Sequence, residues 1–129
     1  MPLVRIEMLK GKDAEYKEAI MDSVHRALVD AFKIPEGDRM QRLYELDRDH
    51  FHISNNKTED CIIIELTVFK GRSYEAKKKL YGNIAANLYK SLGIRREDVV
   101  VVIYEPTLYN WGLAGKPASE GEIGFDINV

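Results

Sequence analysis

The chain of 129 residues has little cysteine, histidine or proline, and it contains no long apolar run. The single cysteine, Cys61, excludes an intrachain disulfide, and its place before the apolar IIIEL predicts a packing role. The three histidines, His25, His50 and His52, lack the spacing of a zinc site, so no metal is expected. No segment is long and apolar enough to span a membrane, and LVRIEML near the N-terminus alternates, unlike a signal peptide. We expect a cytoplasmic protein.

The chain also lacks a strong net charge, because 19 Lys and Arg residues nearly balance 21 Asp and Glu residues. A net charge of −2 gives no support for nucleic acid or an anionic membrane as a partner. With 45% apolar and 31% charged residues, the composition is typical of a globular protein. The length predicts one domain over residues 1–129 with its own core.

What the chain does have is an internal repeat. When Gly11 is placed on Gly71, residues 9–46 and 69–106 align without a gap. The matches extend well beyond a shared helical pattern, and they include Lys10 with Lys70, Ile34 with Ile94, Asp38 with Asp98, and Tyr44-Glu45 with Tyr104-Glu105. Identical residues at one fixed offset indicate a duplication. The repeats cover about 2–46 and 62–106, and a C-terminal arm follows at 107–129.

Each repeat is predicted to fold as strand, helix and strand. The strands are expected at 3–9 and 40–46 in the first repeat, and at 62–69 and 99–104 in the second. The helices carry apolar residues at steps of four, which marks one buried face on each: Tyr16, Ile20, Val24, Leu28 and Phe32, then Ala76, Leu80, Ile84, Leu88 and Leu92. Asp13 and Ser73 are natural N-caps, while Pro35 and Gly93 are expected to mark the helix ends.

Two such units predict an α+β fold, a four-stranded sheet with both helices on one face. A strand–helix–strand unit of this length normally makes a right-handed parallel crossover. The strands look apolar on both faces, VVVVIY most clearly, so we expect the uncovered face to be buried in a homo-oligomer. The connector at 46–60 is polar, and the arm is expected to be a loop ending in a short strand, FDINV, that can reach a neighbouring subunit.

Pro2 stands at the head of the first strand. The simplest interpretation is structural, since a first strand residue needs no N–H donor. Removal of Met1 would instead give Pro2 a free secondary amine, which is a titratable nitrogen on a rigid ring. The second interpretation therefore requires the removal of Met1.

The duplicated strand–helix–strand chain beginning with Pro2 resembles the tautomerase superfamily. The resemblance covers nearly the whole chain and rests on Pro2, on the Lys-Gly-Lys and Lys-Gly-Arg turns, on PEGDR at 35–39, and on Trp111. It implies the 4-oxalocrotonate tautomerase/MIF-like fold, a homotrimer, a small carboxylate substrate, no cofactor, and catalysis by Pro2. Within the superfamily the fused length and the pairing of PEGDR with KGRS are most similar to the malonate semialdehyde decarboxylase branch.

The resemblance also assigns site residues. Pro2 would act as general base or acid, and Arg72 would bind the substrate carboxylate through its planar fork. Lys70 would be a second carboxylate-binding group where the decarboxylase branch has an arginine, and Asp38 would bind or activate a water or a carbonyl hydrate near Pro2. The alternatives are a solvated turn for Lys70 and Arg72 and a turn residue for Asp38. Trp111 either forms a pocket wall or anchors the arm at a subunit contact.

Lys12 lies where short tautomerases carry a substrate-binding arginine, and we interpret it as structural. The predicted activity is a cofactor-free tautomerase acting on a small 2-oxo or enol acid. One alternative is a decarboxylase or hydratase similar to malonate semialdehyde decarboxylase. A second alternative, from a different class, is a non-catalytic oligomeric module that binds a small ligand, since fold alone does not give function.

Overall fold

The computed structural model describes residues 1–129 and contains one mixed four-stranded sheet with two long helices. The elements follow in the order β1 (Pro2–Leu9), α1 (Ala14–Phe32), β2 (Met40–Leu46), β3 (Ile62–Val68), α2 (Tyr74–Leu92) and β4 (Val99–Tyr104). The strand order is β2-β1-β3-β4; β1 is parallel to β2 and β3 to β4, while the central pair β1–β3 is antiparallel. The predicted α+β fold of two strand–helix–strand units is therefore confirmed.

The core lies between the sheet and the two helices. Alternate residues of the central strands point toward the helices and are buried: Val4, Ile6 and Met8 in β1, and Ile62, Ile64, Leu66 and Val68 in β3. Both predicted helical stripes face this layer, with Tyr16 and Leu92 at its partly buried edges. One face of the sheet and the two helices thus form the main hydrophobic core.

The helix ends follow the local sequence signals. The carboxylate of Asp13 accepts a hydrogen bond from the Tyr16 amide at 2.9 Å, and Ser73 Oγ accepts one from the Ala76 amide at 3.1 Å. Helix α2 ends at Gly93 in the left-handed region, as predicted, with φ of 69°. Helix α1 ends in the same conformation at Lys33, with φ of 57°. Neither helix combines the length and hydropathy that crossing a bilayer requires.

The repeats share ion pairs but have diverged at their aspartates. Lys17 pairs with Glu45 at 2.9 Å, and the corresponding Lys77 pairs with Glu105 at 2.7 Å. Asp98, however, is fully buried and accepts hydrogen bonds from the Thr58 amide at 2.7 Å and from Arg95 Nε at 3.0 Å. Burial alone would raise the pKa of Asp98, but the hydrogen bonds from Arg95 and Thr58 lower it to about 2.

The open face of the sheet is not uniformly apolar, and the prediction that it would be was wrong. Across its middle, Arg42 of β2, Arg5 of β1 and Glu65 of β3 lie in register. Exposed apolar or aromatic side chains flank this charged row on the outer strands: Met40, Tyr44, Val102 and Tyr104. Only β4 carries the two-sided apolar pattern, and VVVVIY is not representative of the other strands.

The arm contains structure that its sequence does not indicate. Two short strands, β5 (Gly112–Leu113) and β6 (Lys116–Pro117), form an antiparallel hairpin. The expected final strand at 125–129 is absent, and the segment lies on its own chain instead of reaching away from it. Ser73 Oγ donates a hydrogen bond to the Val129 carbonyl at 2.8 Å. Residues 125–129 therefore rest on the turn before α2.

Asp98→Asn should destabilise the fold by roughly 2–4 kcal/mol, because it weakens a buried, charge-assisted network that ties the connector to the turn before β4. The lowered pKa means that this contribution is present above the unfolded-state pKa near 3.8 and is lost as the pH falls toward about 2. Urea unfolding from pH 7 to pH 2 measures both effects.

Asp38→Asn is the matched control, because it makes the same change at the corresponding position of the first repeat. Its carboxylate is only half-buried, so a cost below about 1 kcal/mol is expected. Equal losses of stability in the two variants would contradict the structural role assigned to Asp98.

Candidate active site

The antiparallel pairing of the central strands brings the N-terminus to the end of β3. Pro2, the first residue of β1, lies opposite Val68, the last residue of β3. The parallel neighbour β2 begins at Met40 beside Leu3, which places Asp38 next to Met1. The amino group of Met1 donates to the Asp38 carboxylate. The structure thus brings Pro2, Asp38 and the turn before α2 to one end of the sheet.

A cavity of about 310 Å³ opens at this end of the sheet. Its wall is mainly apolar, and its polar groups are few. Its lining includes Met1, Asp38, Phe69, Lys116 and Phe125. A small concave site with an apolar wall and a few convergent polar groups is typical of small-molecule binding sites.

Arg72 is buried beside the cavity, with 5% of its surface exposed. Its Nη1 donates a hydrogen bond to the Phe69 carbonyl at 2.9 Å, while Nε and Nη2 have no partner. Nε and Nη2 form one edge of the planar guanidinium, the edge that can hold both oxygens of a carboxylate. A buried charge with two free donors is costly in a folded protein unless something binds there.

The surroundings of Arg72 are partly aromatic and partly acidic. Its guanidinium carbon lies 4.9 Å from the ring centre of Phe32 and 5.8 Å from that of Phe125. Burial lowers the pKa of Arg72, and the nearby carboxylates of Glu105, Asp38 and Asp126 oppose this shift. None of these carboxylates forms an ion pair with Arg72, so its positive charge is balanced only from a distance.

Trp111 supports the cavity wall from behind. Its ring packs against that of Phe69 with the ring centres 4.8 Å apart, and Nε1 donates to the Pro106 carbonyl at 3.2 Å. The side chain is buried in a small cluster with Phe69 and Ala118, both of which line the cavity. Trp111 therefore packs behind the cavity wall within its own chain.

The two other lysines considered from sequence differ in their surroundings. Lys70 is exposed and does not line the cavity. Lys12 pairs with Asp60 at 3.3 Å and lies 4.8 Å from the ring centre of Tyr16. The position of Lys12 in the first repeat corresponds to Arg72, but its charge is already matched by a carboxylate. Burial, together with the charges of Asp60 and Asp98, raises the pKa of Tyr16 to about 12.

Sequence reasoning did not identify Lys116 and Phe125 as residues of this site. Lys116 comes from β6 and adds a cation to the cavity, and Phe125 lies between the cavity and Arg72. The Gly- and Pro-rich arm carries no motif for either residue. The alternation of Ile123, Phe125, Ile127 and Val129 was the available signal, because all four are half-buried while the residues between them are exposed.

The arrangement can bind a carboxylate and place it near a proton-transfer group. Arg72 supplies two free donors, and Asp38 supplies a carboxylate that already binds the N-terminal amine. In the chain beginning with Met1, the Pro2 nitrogen is an amide and is not basic; removal of Met1 would make it an amine at the same end of the sheet. No group of three or more His, Cys, Asp or Glu side chains is arranged to hold a metal ion.

Comparison with known families gives two matches to models described as tautomerase enzymes. One matches residues 38–114, and the other matches residues 2–59. "Probable tautomerase YusQ" of Bacillus subtilis (strain 168) is 31% identical over 108 residues, covering 80% of this chain and 85% of the relative. "Probable tautomerase YrdN" of the same organism is also 31% identical, over 86% of this chain and 89% of the relative.

Solved structures give a consistent result. FG41 malonate semialdehyde decarboxylase, inhibited by 3-bromopropiolate, superposes with a TM-score of 0.85 at 27% identity, covering 96% of this chain and 99% of the other. A fused 4-OT asymmetric trimer superposes with a TM-score of 0.82 at 23% identity, over 92% and 97% of the two chains. The second similarity concerns the fold alone. The matched models and the two relatives establish that this chain belongs to the tautomerase family.

Proposed function

We propose that this chain is a cofactor-free tautomerase that moves a proton on a small 2-oxo or enol carboxylic acid. The observation that carries the proposal is the buried Arg72, whose free Nε–Nη2 edge lies at the same end of the sheet as the N-terminus. Arg72 would hold the substrate carboxylate, and Pro2, freed by removal of Met1, would transfer the proton. The two repeats and the arm would act together as one domain.

The proposed proton transfer needs a neutral Pro2 amine. The reference pKa of an α-amine is about 7.7–8.0; burial at this end of the sheet would disfavour the cation, while the neighbouring Asp38 carboxylate would favour it, so the neutral form would be available near that pH range. Pro2 would then take the hydroxyl proton of the enol acid and return a proton to the neighbouring carbon, leaving the 2-oxo acid. No electrons leave the substrate, so the step needs no redox partner. Asp38 would hydrogen bond the ammonium form that exists between the two transfers.

Decarboxylation of a 3-oxo acid is the second candidate. The observation that favours it is the similarity to FG41 malonate semialdehyde decarboxylase over nearly the whole of both chains. In that reaction a protonated Pro2 would polarise the carbonyl while the carbon–carbon bond to the carboxylate breaks. The electron pair of that bond would form the enol as CO₂ leaves, and a proton would then add to the same carbon to give the aldehyde. Arg72 and Lys70 would hold the carboxylate, and Asp38 would contact the aldehyde or its hydrate. Lys70 binds as a point charge, which is a weaker recognition element than a second arginine.

We further propose a homotrimer assembled through the open face of the sheet. Four large side chains on that face, Met40, Tyr44, Val102 and Tyr104, are exposed in the single chain. A relative of the same fold is a fused 4-OT trimer. Burying these side chains against further copies would remove their apolar surface from water.

Pro2→Ala should lower turnover by roughly 10²–10⁴-fold, because an N-terminal alanine lacks the rigid secondary amine that the proposal requires. The assay uses the enol form of phenylpyruvate and, separately, malonate semialdehyde, on untagged protein whose intact mass shows the loss of Met1. The preferred substrate then decides between tautomerase and decarboxylase. A protein that retains Met1 and turns over neither compound would support the non-catalytic binding module instead.

Arg72→Lys should lower kcat/KM by about 10²-fold, because the charge remains while the two-donor edge is lost. For the tautomerase reaction, in which Lys70 has no assigned role, Lys70→Ala is the matched control on the same turn, and because Lys70 is exposed its effect should stay within about threefold. A larger loss for Lys70→Ala than for Arg72→Lys would reverse the assignment of the carboxylate-binding residue.

Val102→Glu should dissociate the proposed trimer, since it places a charge on an exposed apolar strand residue beside Glu65. Sedimentation velocity measures the change from trimer to monomer. The control is Tyr81→Glu, which introduces the same charge at an exposed position on α2 and should leave the assembly intact. A wild-type chain that sediments as a monomer would exclude this interface.

A further inference from the structure

The guanidinium of Arg72 is closed off by the end of the arm. Phe125 lines the cavity, and its ring centre also lies 5.8 Å from the guanidinium carbon of Arg72. A Cβ on Gly71, the residue before Arg72, would lie 2.8 Å from the Ile127 carbonyl oxygen, so the arm passes directly over this turn. The free Nε–Nη2 edge is therefore present in the structure but buried under residues 125–129.

The arm is held to the body of the protein by few polar contacts. No backbone–backbone hydrogen bond involves residues 122–129, and the one hydrogen bond from the body is that of Ser73 Oγ to the Val129 carbonyl. The remaining attachment is apolar, through the inward-facing Ile123, Phe125, Ile127 and Val129. A segment without ladder hydrogen bonds opens at low free energy compared with the sheet beneath it.

The arm also carries a charge that a bound carboxylate can replace. Asp126 is exposed, and its charge acts on Arg72 from a distance without forming an ion pair. A substrate carboxylate on the free edge would supply two direct charge-assisted hydrogen bonds to the same guanidinium. The closed arm thus adds only a distant charge to those of Glu105 and Asp38, whereas a bound carboxylate would pair directly with the guanidinium.

We propose that residues 125–129 form a displaceable cover on the Arg72 anion site, with Phe125 as the gating residue that a carboxylate must move aside. This inference rests on the proposed role of Arg72 in carboxylate binding. The cover shields the unpaired guanidinium edge from water in the free protein. It lowers the apparent affinity for carboxylates by the fraction of molecules in which the cover is open.

Benzoate is the test ligand, because it is a carboxylate with an apolar body and has no reaction to undergo. Trp111, the single tryptophan, packs on Phe69 at the cavity wall and reports binding by its fluorescence. In stopped-flow mixing, the observed rate for the wild type should level off at high benzoate concentration, since opening of the cover becomes limiting. In Phe125→Ala the rate should rise linearly, and the Kd should fall by roughly three- to tenfold.

The controls separate the cover from a general loss of an aromatic side chain. Tyr89→Ala removes an exposed ring on α2 and should leave both the Kd and the rate profile unchanged. Phe125→Leu keeps apolar contact with the core, so it carries the test if Phe125→Ala does not fold. Limited chymotrypsin digestion provides a second readout: saturating benzoate should speed cleavage after Phe125 in the wild type, because the open arm exposes this half-buried residue.

The outcomes distinguish the cover from the site beneath it. Weaker benzoate binding by the folded Phe125 variants, or a linear wild-type rate with unchanged chymotrypsin cleavage in the arm, would show that Phe125 is a fixed wall and overturn the cover. Such a result would leave Arg72 as the carboxylate site. Absence of benzoate binding, or binding that Arg72→Met leaves intact, would overturn the cover and the proposed role of Arg72 together.

Discussion

The antiparallel pairing of β1 with β3 is the constraint on which the site depends. It places Pro2 opposite Val68, and therefore places the beginning of the chain beside the turn that carries Arg72. In a strand pair a shift of one residue turns every side chain to the other face. Such a shift would expose the buried residues of β1, so the free energy of the core holds the register. The site at the end of the sheet is located by packing that takes no part in chemistry.

The two repeats have the same framework, but the charged residues at their corresponding turns are paired differently. At one end of the sheet, Lys12 of the first repeat is paired with Asp60. At the same end, the buried Asp98 of the second repeat accepts a hydrogen bond from the amide of Thr58 in the connector. At the other end of the sheet Arg72 keeps two free donors, and Asp38 contacts only the N-terminal amine. Of the two corresponding turns, one is paired with a carboxylate at Lys12 and the other keeps unpaired donors at Arg72.

Much of the fold follows from local signals, because each signal has a direct physical cause. The caps at Asp13 and Ser73 satisfy free helix amides, and the stripes of four mark the buried faces. The sequence also predicted Arg72, Asp38 and Pro2 at one site, which the geometry brings to one end of the sheet. Phe125 was missed, because the apolar alternation of the arm marks it as half-buried but its place at the site depends on how the arm folds back. The mixed open face was missed because one apolar strand was taken to represent all four.

Because the charges are paired at one turn and unpaired at the other, the two turns tolerate substitution differently. Substitutions around Asp98 and Lys12 act on a satisfied network, so their effect falls on yield and thermal stability. Replacing Arg72 with an apolar residue removes unpaired buried donors, and proteins commonly gain stability from such changes at the expense of activity. A library of variants selected only for stability would therefore keep the residues around Asp98 and Lys12, and it would accumulate substitutions at Arg72. The pattern of loss would itself separate the residues that hold the molecule together from those kept for a ligand.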